Sequence, residues 1–263
     1  GGNACGTTSP INGMDPQLGT LTGSPAYFPI GADSPAFNAG NDAICAAAPV
    51  SATSQNGASR PQGAHCDIGS FEYIPDPQTS PSFTVTKTAD TNDLCEVSDC
   101  SLREAIKAAN TAAGADIITL LAGTYTLTIA GAGEDANATG DLDITDDVTI
   151  NGVGITSLIQ AGSAGNGIDR VMQIASGKTV TLTYIAIANG KCSGCNGGGI
   201  YNDGALTADH LTLSGNSAVV GGGIFTAGAL TVKGSTFSSN TSSSYGAGIV
   251  SDSGTTVDIS NSA

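Results

Sequence analysis

Tryptophan is absent from this 263-residue chain, and aromatic side chains make up only 5% of it beside 37 glycines. A thick core of the ordinary globular kind is not expected; the core should be thin and repetitive. Positive charge is scarce as well, with 8 Lys and Arg against 23 Asp and Glu and a net charge of -15. Such a chain repels nucleic acid and anionic membrane surfaces, so neither is expected as a partner. No apolar run approaches the roughly 18 residues of a membrane span, and the first residues, GGNACGTTSP, hold neither a basic region nor an apolar stretch. No membrane insertion by this segment is expected, and export signals are expected to lie outside this window or to have been removed. The seven Cys, most of them in short-range pairs in a Lys-poor chain, fit an oxidising, extracellular setting.

What is abundant is repetition. GGGIYNDGALTADHLTLSGNSAVV is followed by GGGIFTAGALTVKGSTFSSNTSSSYGAGIV and then by a third, truncated copy, with Ile200, Ile224 and Ile249 spaced by 24 and 25 residues. Each copy reads as short alternating pieces separated by Gly and Asn, the signature of strands joined by tight turns. A repeat of this length that returns to the same phase is one coil of a parallel β-helix, with every ladder hydrogen bond going to the next coil at roughly 4.8 Å. Leu206, Leu230 and Val257 should form one inward column, and Leu213 and Phe237 another. Asn216 and Asn240 fall at one phase, where a left-handed turn and bonds between stacked neighbours are expected. The glycines at 197 to 199 and 221 to 223 fit a corner needing positive φ or close backbone approach; no Lys-Ser/Thr follows to make them a phosphate loop. Residues 120 to 190 keep the rhythm less strictly and should form irregular coils. A β-sandwich would not restore phase at this interval.

Ser101 and Glu104 make a capping box, and Leu102, Ala105, Ile106 and Ala109 then share one face. A helix over 101 to 110 would cover the open end of the first coil. With these residues in hand, CSLREAIKAAN resembles the opening signature of bacterial CSLREA-type surface proteins, which are similar to polymorphic outer-membrane-repeat β-helices; the likeness runs on through GDLDITDDVTINGVG, IDRVMQIASGKTVTL and GGGIYNDGALT. Separately, MDPQLG, DSPAFNAG and RPQGAHCDIGSFEY resemble the closing segment of choice-of-anchor β-helix proteins. In those relatives opening precedes closing; here the order is reversed. The expected organisation is a closing segment at 1 to 73, a Pro-rich linker IPDPQTSPS at 74 to 82 and a β-helix at 83 to 263.

That order is testable by reach. About six or seven coils at roughly 4.8 Å stack to about 30 Å or more, and a linker of this length spans at most about 30 Å before any detour. Self-closure is strained, so residues 1 to 73 are expected to complete a neighbouring copy through Ile11, Leu18, Leu21, Phe28, Ile30 and Phe37. Copies of the same chain, head to tail, are the expected partner, and glycans the alternative one.

The side chains offer little chemistry. The acidic run containing Asp141, Asp143, Asp146 and Asp147 is the candidate for a Ca²⁺ site, although its spacing matches neither an EF-hand nor an RTX repeat; a solvated face is the competing reading. No other cofactor is indicated. β-Helices include pectate lyases and polygalacturonases, but no Gly-His-Gly or Arg-x-Lys accompanies Asp146 and Asp147, Arg170 and Lys178 stand alone in sequence, and His65 and His210 suit surface or packed positions. No enzyme is expected. The cysteines read as staples: Cys45 with Cys66, Cys95 with Cys100 and Cys192 with Cys195 each bracket a loop without a core of its own, leaving Cys5 over. Together these features lead to an all-β, right-handed parallel β-helix with one short capping helix, serving as a structural subunit of an extracellular filament or surface stalk. The alternatives are a monomeric adhesin or carbohydrate-binding β-helix and, behind it, a polysaccharide-degrading enzyme.

Overall fold

The structure, a computed structural model, describes residues 13 to 263, so Cys5 and Ile11 lie outside the described residues. The chain divides into two compact units at Asp76 and Pro77, within the expected linker. Residues 77 to 82 are not a free tether. Gln78 donates its backbone N–H to Cys95 O and its side chain exchanges hydrogen bonds with both backbone groups of Thr84, which ties this stretch to the second unit.

Among its described residues the first unit contains one short helix, α1 (Asp42–Ala46), and isolated antiparallel bridges rather than coils. Asn41 caps α1 by accepting from the amides of Ala43 and Ile44. With little apolar material to bury, a polar network organises the unit. Arg60 meets Glu72 at 3.1 Å and donates to Gly69 O and Phe71 O, while Asp67 accepts from the amides of Asn38 and Tyr73. The RPQGAHCDIGSFEY string is thus a set of mutual partners, stapled to α1 by Cys45–Cys66. Burial pushes the Asp67 carboxyl up to about 6.

The second unit is a parallel β-helix. It opens with β1 (Ser82–Thr84), the cap helix α2 (Leu102–Thr111), β2 (Asp116–Thr119) and β3 (Gly123–Leu127). Then come β4 (Leu142–Ile144), the long β5 (Val148–Ser163), the short β6 (Asn166–Gly167), β7 (Met172–Ile174) and β8 (Thr179–Ala188). One regular coil follows as β9 (Ile200–Asn202), β10 (Ala205–Asp209), β11 (Thr212–Ser214) and β12 (Ser217–Val220). The next is β13 (Ile224–Thr226), β14 (Ala229–Lys233), β15 (Thr236–Ser238) and β16 (Thr241–Tyr245), and then β17 (Ile249–Ser251) and β18 (Val257–Ser260). The main sheet runs β1-β2-β5-β8-β10-β14-β18 and a second runs β4-β7-β9-β13-β17; every pairing is parallel except the β5–β6 hairpin.

The register places Leu206, Leu230 and Val257 in one column, Leu213 and Phe237 in another, and Ile200, Ile224 and Ile249 in a third, as the repeat phase predicts. At Asn216 and Asn240 the expected bond between stacked neighbours forms, but the expected left-handed turn does not. Left-handed backbone falls one residue earlier, on the column Asn189, Gly215 and Ser239. Asn216 instead turns its side chain into the stack, donating to Ile187 O and Asn240 Oδ1 and accepting from Gly190 N. Satisfying a carbonyl and an amide at a corner where the ladder breaks is worth more than the turn conformation itself. A second left-handed column, Tyr184, His210, Gly234 and Asn261, bends the chain out of the main sheet. At Gly221, φ is +65° and a Cβ would press on Ile224 O, so the glycine there is required on both counts.

Helix α2 begins one residue inside the expected span because Ser101 is its N-cap, and both halves of the capping box form. Its buried face carries Leu102, Ala105, Ile106 and Ala109. The same helix also does the hydrogen bonding of a missing strand. Asn110 donates to Asp143 O and accepts from Thr145 N, while Arg103 donates to Gly140 O and Asp141 O, so the edge of β4 is satisfied by side chains.

Candidate functional site

Strands β15 to β18 make up the last rung of the described residues. Each of its strands pairs with the coil before it and has no strand on its other side among the described residues. The interior columns change character there. Leu213, Leu230 and Ile224 are sealed, whereas their successors Phe237, Val257 and Ile249 are half-buried, Ile259 is 51% exposed and Tyr245 73%. The last residues already lie along β15: Phe237 donates its backbone N–H to Ala263 O, and Ala263 donates its own to Ser235 O.

A second apolar surface lies in the first unit. Leu18 and Leu21, both 53% exposed, and Phe28, 48% exposed, line a cleft of about 270 Å³ with Tyr27 and Phe71, whose rings lie 5.3 Å apart. Ile30, of the same expected interface set, also lines this cleft while 6% exposed, and half-buried Phe37 is engaged edge-to-face with Tyr73 at 5.6 Å.

The four candidate metal ligands do not act together. Asp146 pairs with Lys178 at 2.9 Å, which together with the Asp147 amide lowers its pKa, and Asp147 accepts from Thr179 N. Asp141 and Asp143 belong to a separate, covered place. The expected solvated Asp143 is only 2% exposed, because the loop 134 to 139 folds over it: Glu134 accepts from the amides of Ala136, Ala138 and Thr139, and Asp143 accepts from Asn137 N. Burial pushes Asp143 up to about 7, helped by the charge of Asp141, and pushes Asp141 to about 7, helped by Asp169 and opposed by Arg170. One oxygen of each, Asp141 Oδ2 and Asp143 Oδ1, accepts no hydrogen bond. Arg170 is not isolated: it faces Asp141 at 3.4 Å, donates to Gln173 and covers the Tyr201 ring at 5.1 Å. Among the described residues the group of three metal-ligating side chains that does converge is Asp169, Cys192 and Cys195. There the two sulfurs are joined as a disulfide.

A pH dependence follows from the two buried acids. Their folded pKa values, about 7, stand above the ordinary aspartate value of 3.8, so the folded state binds more protons between these limits. Their contribution to stability is therefore present below about pH 4, declines as pH rises through about 7 and is flat above it. Asp143→Asn should raise the melting temperature at pH 8 and leave it little changed at pH 4; thermal unfolding at the two pH values checks this.

His65 pairs with Asp42 at 2.8 Å and His210 with Asp209 at 2.6 Å, each side chain more than half exposed; His210 also stacks on Tyr184. The outward rings of Tyr201 and Phe225 stack face to face at 5.5 Å. No helix among the described residues is long and apolar enough to cross a membrane.

The fold defines the second unit as a parallel β-helix. Compared with family models, with curated proteins and with solved structures, the chain matches none.

Proposed function

We propose that this chain is a non-catalytic structural module of an extracellular filament or stalk, extended by stacking one β-helix coil on another, head to tail. The in-register stack of coils, with the columns Leu206–Leu230–Val257 and Ile200–Ile224–Ile249 running through it, is the observation that carries the reading. A strand edge that continues three apolar columns is completed best by another coil in the same register, and covering a large apolar side chain there stabilises by roughly 1.5–3 kcal/mol. The likeness of residues 1 to 73 to a closing segment, placed ahead of an opening one, supports a neighbouring copy as the source of that cover. The apolar cleft at Leu18, Leu21 and Phe28 supplies a surface of matching character. A heterologous contact of this kind, repeated without ring closure, generates a filament. Three disulfides support the extracellular placement.

Light scattering over a concentration series tests the assembly. The full chain should grow into linear species, and Ile259→Asp, at a position already half exposed, should remain folded and stop that growth. A chain that stays monomeric at every concentration while binding a glycan would instead be an adhesin.

A further inference from the structure

Three features set the turn Cys192–Cys195 apart from the other two bridges. The first is access. Cys45, Cys66, Cys95, Cys100 and Cys192 are buried, whereas Cys195 is partly exposed, with Ser193 and Gly194 exposed between the pair. The second is position in the ladder. Lys191 pairs with Ser217 and Asn196 with Val220, so four residues on one coil oppose two on the next. The bridge therefore sits in an insertion held at both ends by the stack, and it closes a short loop, the kind that removes least entropy from the unfolded chain. Opening it need not disturb the coils. The third is the charge around it. Arg170 Nη2 donates to Cys192 Sγ at 3.7 Å, and the Asp169 carboxylate lies within 4.8 Å of both sulfurs.

We infer that the Cys192–Cys195 turn is a thiol–disulfide exchange site that reacts with small-molecule thiols, with Cys195 Sγ the atom attacked and Cys192 the leaving group. An incoming thiolate bonds to Cys195 Sγ, the Cys192–Cys195 bond breaks, and its electron pair passes to Cys192 Sγ, where the Arg170 guanidinium stabilises the thiolate. A second thiolate attacks the small-molecule sulfur of the mixed disulfide, releasing Cys195 as a thiolate and a small-molecule disulfide. Two thiols are oxidised and one protein bridge is reduced. The polarity follows from the site: attack at Cys192 is blocked by burial, and departure of Cys195 would place the new charge away from Arg170.

The test is graded reduction of the folded Cys5→Ser protein with glutathione, trapping by alkylation and peptide mapping. Cys192 and Cys195 should label at least about tenfold faster than the other four cysteines, and the trapped mixed disulfide should sit on Cys195. Arg170→Gln should slow the opening while circular dichroism shows the coils retained. Should that variant unfold, the labelling order and the position of the adduct in the Cys5→Ser protein still decide the matter. Release of Cys45–Cys66 or Cys95–Cys100 first, simultaneous opening of all three, or an adduct on Cys192 overturns the inference.

Discussion

Replacing Arg103 by methionine should destabilise the β-helix by about 3–5 kcal/mol, the scale for breaking a buried ion pair by removing one partner. The Arg103 side chain is fully buried and pairs with Asp90 at 2.7 Å while donating to the carbonyls of Gly140 and Asp141. Methionine fills the volume and leaves those carbonyls without donors. It also leaves a nearly buried Asp90 carboxylate holding only the amides of Thr128 and Ile129. The cap helix, the loop before β4 and the end of β3 are all tied to this one group, so the loss should appear as a lowered midpoint in denaturant for the whole unit. Lys107→Met, on the exposed side of the same helix, should change that midpoint by less than about 0.5 kcal/mol. Equal midpoints for the two variants would remove Arg103 from its assigned role.

Ile106→Asp should cost a similar amount by another route. Ile106 is 1% exposed on the face of α2 that covers the first coil, in one buried cluster with Leu102, Ala109, Phe83 and Ile118. An aspartate there loses the packing and must bury a carboxyl with no cation provided for it, a penalty of a few kcal/mol. The lost cap would also expose the end of the first coil, so aggregation should accompany the lowered melting temperature. An unchanged melting temperature would contradict the capping role.

The coils are legible in the sequence because each one stacks on the last. A residue's role is repeated 24 or 25 positions later, so the columns Ile200–Ile224–Ile249 and Leu206–Leu230–Val257 can be aligned without coordinates. Helix α2 is legible because Ser101, Glu104 and its apolar stripe act within a few residues of one another. Contacts that cross long stretches of chain left no such trace. Arg103 reads as a polar residue on a short helix until the chain returns 34 to 38 positions later to supply its carbonyls. Alternation assigns Asp143 to the outward side of β4, and the outward direction is correct; the loop that covers it is held by carboxylate-to-amide bonds with no periodic signal. Tyr184 and His210 occupy left-handed corners through their place in the stack, against their own preference. In the first unit the partners of Arg60, Asp67 and Glu72 lie in loops with no periodic signal, so that polar network could not be read from the sequence. The candidate site was legible only in part: Leu18, Leu21 and Phe28 remain exposed as expected, whereas the cleft they line with Tyr27 and Phe71 has no periodic signal in the sequence.

Fibre diffraction from a concentrated, aligned sample of the full chain tests the central claim most directly. Coil-on-coil assembly predicts elongated particles with a reflection at about 4.8 Å along the long axis, because the strands of every coil lie across it and the stacking continues through each joint. A compact monomer at all concentrations, or fibres lacking that axial repeat, would contradict the account.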